Sequence, residues 1–193
     1  MYREQDAWFA AIRSRLLRRA DILNRRRVLD LGTGTGETLC ELRRRTRGEV
    51  VGVDRDAGVL ALAGEGCVVA EASELPFANG AFDLVFTQMF FLWAAPLDTV
   101  VAEIRRVLQP GAPLIVCAEP DYGGRMEYPR PDPALDAVQR ELVSQGADLE
   151  IARKLPARLA KAGFRVDGGT HPAGVCDDGG RFQFLPYFWY FVQ

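Results

Sequence analysis

A glycine turn and three acidic residues are the groups in this chain whose types and spacing point most clearly to chemistry. Val28-Leu29-Asp30-Leu31 is a short, mostly apolar run that leads into Gly32-Thr33-Gly34-Thr35-Gly36. Glycines let a backbone approach a ligand closely, because no side chain stands in the way. The spacing is GxGxG and not GxGxxG, and Glu37 occupies the place of the last glycine of the dinucleotide fingerprint. Asp30 stands just before the turn, where a carboxylate repels a pyrophosphate and attracts an ammonium group. Asp54 closes the next apolar run, eighteen residues after Gly36. An acid there can accept hydrogen bonds from both hydroxyls of a ribose. Glu71 follows the third run, where it or the backbone of Ala72 can meet the edge of a nucleobase. This constellation suits a nucleoside that carries an ammonium group and no phosphate.

Other candidates are weaker. The segment Glu119 to Pro133 is rich in Pro, Gly, Asp and Tyr. Within it Tyr122 or Asp121 could orient or deprotonate an acceptor hydroxyl, and Arg125 could pair with a carboxylate; turn chemistry and surface charge are the competing explanation. The pair Gly123-Gly124 suggests that this loop moves. Phe90, Phe91, Leu92 and Trp93 either wall a pocket or fill the core. Trp8 and Phe9 either form part of an N-terminal lid or simply pack. His171 is the only histidine, and a structural or surface role outweighs catalysis for it. Cys40, Cys67, Cys117 and Cys176 form no CxxC pair, so neither a metal site nor a disulfide framework is expected.

The elements that would position these groups alternate. Asp6 to about Leu23 has helical apolar spacing with arginines opposite. Strands are predicted at Val28–Leu31, Val50–Asp54, Cys67–Ala70, Phe82–Met89 and Pro113–Ala118, with a sixth opening at Phe164 and a seventh within Phe182–Val192. Helices are predicted over Glu37–Arg45, after Asp54 to about Ala63, from near Pro96 to Leu108, and between Ala134 and Ala162 with a break near Gly146. Strands alternating with helices imply an α/β protein, with a mostly parallel sheet covered on both faces. Ligands of such sheets bind beyond the carboxyl ends of the strands, so the loop of residues 119–133 should lie beside the site.

The run VLDLGTGTGETL, followed by VVGVDRD, EASELPFANGAFDLVF and EIRRVLQPGAPLIV, resembles the class I S-adenosylmethionine (SAM)-dependent methyltransferases. The likeness is greatest to the small-molecule group that includes the ubiquinone and menaquinone methyltransferases, and it covers roughly residues 27–120. Two departures are mild: Glu71-Ala72 stands where Asp-Ala is usual, and Pro110-Gly111-Ala112 where Pro-Gly-Gly is usual. The resemblance implies a Rossmann-like sheet of seven strands in the order 3-2-1-4-5-7-6, with strand 7 antiparallel. It also implies SAM as cofactor and S-adenosylhomocysteine as product. Asp30, Gly32, Thr33, Gly34 and Gly36 would hold the methionine part, Asp54 the ribose, Arg55, Glu71 and Ala72 the adenine. Gln88 would lie near the transferring methyl; Trp8, Trp93, Tyr122 and Arg125 are the acceptor candidates read from the residues themselves, against packing or surface roles.

Composition is consistent with this reading. At 193 residues, 48% of them hydrophobic and 26% charged, the chain suits one domain, with residues 1–24 as a helical lid and 119–133 as an acceptor loop. No apolar run approaches the roughly 20 residues of a membrane span. Met1 to Leu29 lacks the apolar core of a secretory leader, so a cytoplasmic protein is expected. Net charge is −2 but uneven: residues 1–47 hold twelve arginines against six acids. That basic end alone is weak support for nucleic acid as a partner, and Thr87-Gln88-Met89-Phe90 does not resemble the motif of base-amino methylases. A small-molecule acceptor is expected, with a dimer possible through the aromatic last strand. A SAM-binding partner without catalysis and an NAD-dependent oxidoreductase are the competing functions; the GxGxG spacing and Asp30 argue against the second.

Overall fold

A computed structural model describes residues 2–129, 132–176 and 182–193. Helix α1 (Tyr2–Arg19) is followed by β1 (Arg27–Leu31), α2 (Glu37–Arg45), β2 (Glu49–Asp54), α3 (Ala57–Ala63), β3 (Cys67–Val69) and β4 (Leu84–Gln88). Then come α4 (Leu97–Val107), β5 (Leu114–Pro120), β6 (Met126–Tyr128), α5 (Pro133–Ser144), α6 (Ile151–Lys161), β7 (Val166–Cys176) and β8 (Phe182–Val192). Among the described residues no helix is long and apolar enough to cross a membrane.

The sheet runs β3-β2-β1-β4-β5-β8, with β7 on the outer edge of β8. The first five strands are parallel and β8 is antiparallel to β5 and β7. This is the expected order, with one correction: the sheet has eight strands, not seven. The extra strand, β6, arises inside the segment expected to be a loop. β8 is longer than its pairing with β5, which uses Tyr187 to Val192. The edge beyond would carry unpaired backbone groups, and Met126–Tyr128 pairs with Phe182–Phe184 there instead. Arg130 and Pro131 of the predicted loop lie outside the described residues.

Alternation along the strands sorts the core into two layers. Val28, Leu84, Phe86, Ile115 and Cys117 face α1, α2 and α3, whereas Leu29, Leu31, Val85, Leu114 and Val116 face α4 and α6. α4 shows why its sequence folds this way: Val100, Val101, Ile104 and Val107 are its buried residues, spaced as one helical stripe. α1 ends four residues before Leu23, because Asp21 turns left-handed (φ 52°) and a short 3-10 turn, Ile22–Asn24, follows.

One irregularity shapes the site. Between Val116 and Glu119 the pairing with β8 slips by one residue, a β-bulge, and Ala118 takes φ 58°. Cys117 and Ala118 therefore both face the α1 layer. Strict alternation would send Glu119 to that layer as well; the bulge turns it to the opposite face, beneath the turn that follows β4.

Candidate active site

A cleft of about 600 Å³ opens at the carboxyl ends of the strands, within the size range of small-ligand sites. Its first part is built by the turn after β1. Gly32, Gly34 and Gly36 have φ of 77°, 55° and 88°, a region that side chains avoid. A Cβ on Gly32 would lie 2.6 Å from Phe90, and one on Gly36 would lie 2.9 Å from Ala63, so these two permit close packing. At Gly34 a Cβ would meet nothing within 4 Å. That glycine borders the cleft.

Asp54 lines the cleft at the end of β2. Its carboxylate accepts the Gly34 N–H at 3.0 Å and the Asp56 N–H at 3.1 Å, which ties the glycine turn to the second strand. Arg55, Glu71, Ala72 and Gln88 line the same cleft, as do Thr33 and Trp93. Asp30 does not line it. It is 1% exposed and lies behind the turn, accepting the hydroxyls of Thr33 (2.6 Å) and Thr38 (2.9 Å). Burial raises its pKa to about 6, against the opposing pull of those two hydroxyls and of Arg13 and Arg43. Its charge reaches the cleft through Thr33 and Thr38, both lining residues.

The acceptor candidates separate. Tyr122 lines the cleft, and its backbone N–H is held by the Leu149 carbonyl at 3.0 Å. Asp121 is buried below it in a two-pronged pair with the Arg153 guanidinium, at 2.7 to 3.1 Å. Arg125 is outside the cleft lining and pairs with Asp136 at 2.5 Å and Glu127 at 3.2 Å. His171 sits on β7 opposite Tyr187, its ring edge-on to Phe9 at 6.0 Å, also away from the lining. Trp8 is 54% exposed, whereas its neighbour Phe9 is fully buried and lines the cleft. Gly123 and Gly124 are closely packed: added Cβ atoms would lie 2.9 Å from Arg153 and from Pro186 respectively. These glycines serve close approach between elements, where the sequence suggested movement.

Two residues that sequence reasoning did not single out hold the site together. Glu119, fully buried by the bulge, accepts the N–H groups of Phe90 (2.9 Å), Phe91 (3.1 Å) and Leu92 (3.3 Å). It thereby fixes the turn that presents Phe90, Leu92 and Trp93 to the cleft. Burial raises its pKa to about 7, although the three backbone bonds oppose the rise. Arg13, 3% exposed, joins Glu41 at 2.6 Å to the Gln88 amide oxygen at 2.9 Å. A signal for it existed: Arg13 stands four residues after Phe9 and three before Leu16, on the apolar stripe of α1.

This arrangement separates two expectations by measurement. Arg125→Ala should lower the unfolding midpoint and leave acceptor affinity nearly unchanged, because its partners are Asp136 and Glu127. Tyr122→Phe should do the reverse, shifting acceptor turnover by about tenfold, or about 1.4 kcal/mol in the barrier. Paired urea melts and initial rates decide it, and a Tyr122→Phe enzyme with wild-type rates would remove the phenol from the site.

Residues 29–116 match the family model described as a methyltransferase domain. A malonyl-[acyl-carrier protein] O-methyltransferase from Coxiella burnetii is 39% identical over 108 residues, covering 54% of this chain and 38% of that protein. A demethylmenaquinone methyltransferase from Thermus thermophilus is 40% identical over 105 residues, covering 49% of this chain and 48% of that one. The chain thus spans less than half the length of these relatives. Among solved structures, an S-adenosylmethionine dependent methyltransferase from Mesorhizobium loti superposes with a TM-score of 0.62 at 17% identity, over 90% of this chain and 95% of that one. Residues 29–116 of this chain thus match a methyltransferase domain, and over most of its length the chain shares its fold with a solved SAM-dependent methyltransferase.

Proposed function

We propose that the protein transfers a methyl group from SAM to a small organic acceptor and releases S-adenosylhomocysteine. The observation that carries this reading is the cleft at the strand ends, which the glycine turn, Asp54, Glu71 and Ala72 line together. SAM supplies a methyl on a positively charged sulfur, ready for in-line attack with a neutral leaving group. The residues present fit it. The turn from Gly32 to Gly36 and the buried charge of Asp30 suit its ammonium end, Asp54 its ribose, and Arg55, Glu71 and Ala72 its adenine. Gln88, steadied by Arg13, stands at the end of β4 between that half of the cleft and the acceptor half.

Transfer from an activated donor needs little beyond alignment, which is worth about 7–11 kcal/mol in well-oriented systems. Tyr122 suits this role as a hydrogen-bond donor. Burial pushes its phenol above the ordinary value, so at neutral pH it stays protonated. Asp121 already holds Arg153 and His171 packs on Phe9, so neither supports a general-base role as well as Tyr122 supports orientation. The free thiols Cys40, Cys67 and Cys117 support a reducing, cytoplasmic setting.

Titration calorimetry tests the cofactor. SAM or S-adenosylhomocysteine should bind at least about tenfold tighter than NAD, since NAD carries a pyrophosphate toward Asp54 and Asp30. Tighter binding of NAD would reject the reading. Binding of SAM with no methyl transfer to any member of a metabolite library would favour a SAM-binding partner without catalysis.

A further inference from the structure

Resting on the methyl-transfer reading, we propose that the acceptor is an uncharged, largely apolar molecule, and not a carboxylate or a phosphate. The cleft is divided by charge. The part built at the ends of β1, β2 and β3 carries the carboxylates of Glu37, Asp54, Asp56 and Glu71, with Arg55 as its one cation among the described residues. Beyond β4 the described lining is uncharged: Phe90, Leu92, Trp93, Tyr122, Leu142 and Gln145 are its principal residues.

Arginines of the neighbouring segments stand outside this lining and have acidic partners: Arg153 pairs with Asp121, and Arg125 pairs through Nη2 with Asp136 and Glu127. Arg13 is taken by Glu41 and Gln88. Glu119 lies beneath the floor, saturated by three backbone N–H groups. An anionic acceptor entering here would lose its water without meeting a cation, which is a large cost for a charge. It would also sit in the field of the four carboxylates next door. An apolar ring gains by the same move, because Trp93, Leu92 and Leu142 offer it surface to cover. Tyr122, Gln88 and Gln145 can then hydrogen-bond one or two neutral polar atoms and set which of them faces the cofactor half.

The test uses two probes of one shape, 1-naphthol and 1-naphthoate, titrated into the full chain saturated with S-adenosylhomocysteine at a pH where only the second is ionised. Quenching of tryptophan fluorescence and calorimetry report binding independently of turnover. The naphthol should bind at least about tenfold tighter. Leu142→Arg, which places a cation in the uncharged part, should narrow or reverse that preference by about tenfold. Equal or tighter binding of the naphthoate to the wild type would overturn the proposal, as would no binding of either probe. S-adenosylhomocysteine binding in those same samples shows that the cofactor assignment, on which the methyl-transfer reading depends, still stands. If S-adenosylhomocysteine itself does not bind, that reading fails and the acceptor class fails with it.

Discussion

Replacing Glu119 with alanine should destabilise the protein by about 3 kcal/mol or more, the largest stability loss expected from any single change near the cleft. Three backbone N–H groups, of Phe90, Phe91 and Leu92, would lose their acceptor. Each buried donor left unpaired costs about 1–3 kcal/mol, and relief of the buried charge offsets only part of the total. Glu119→Gln is the informative control. Its amide oxygen can still accept from Phe90 and Phe91, while its NH2 group faces the Leu92 N–H, so a loss of about 1 kcal/mol is expected.

The two variants also separate by pH. Burial raises the Glu119 pKa from 4.5 to about 7. Between those values the folded protein holds a proton that the unfolded chain has released. Stability contributed by this group is therefore full below about pH 4.5, falls as pH rises toward 7, and is level above it. Asp30 acts in the same direction between 3.8 and about 6. Urea melts across this window should show wild-type stability declining with pH and a flatter profile for Glu119→Gln. A Glu119→Gln profile as steep as the wild type would assign the dependence to Asp30 and remove Glu119 from the account.

Asp54→Ala should weaken SAM binding by about 1–3 kcal/mol, or roughly 5- to 150-fold in affinity. Two effects combine. The carboxylate is the group placed to accept ribose hydroxyls, and it also holds the Gly34 N–H, so its loss frees the turn that borders the ligand. Asp54→Asn keeps one acceptor for Gly34 and should lie between wild type and alanine. Because Asp54 is only half-buried, the unfolding free energy should change by less than about 1 kcal/mol. Calorimetry with S-adenosylhomocysteine decides the matter, and an affinity unchanged in Asp54→Ala would show that the ribose is held elsewhere.

The parts of this molecule that local chemistry controls were legible in its sequence. The glycine spacing, Asp54 at a strand end, the stripe of α4 and the alternation of strands and helices each depend on residues close together in the chain. They predicted the mostly parallel α/β sheet and most of the residues that line the cleft at the ends of β1, β2 and β3, whereas the strand order through β5 was implied by the resemblance to the class I methyltransferases. What depended on distant segments was decided only by the tertiary structure. Asp30 could be placed beside the turn but not behind it, because Thr33 and Thr38 fold over it. Of the adjacent Trp8 and Phe9, only packing against Tyr187 and His171 selects Phe9 as the buried one. Arg125 and Tyr122 are three residues apart and look equally available in sequence. Their fates differ because α5 brings Asp136 to the first, while the turn before α6 holds the second at the cleft. β6 exists because the long β8 has an edge to cover, and Glu119 supports the site because one extra residue in β5 turns it to the other face. A one-residue shift in register reverses every side chain beyond it, and only pairing with a strand some seventy residues away in the sequence records that shift.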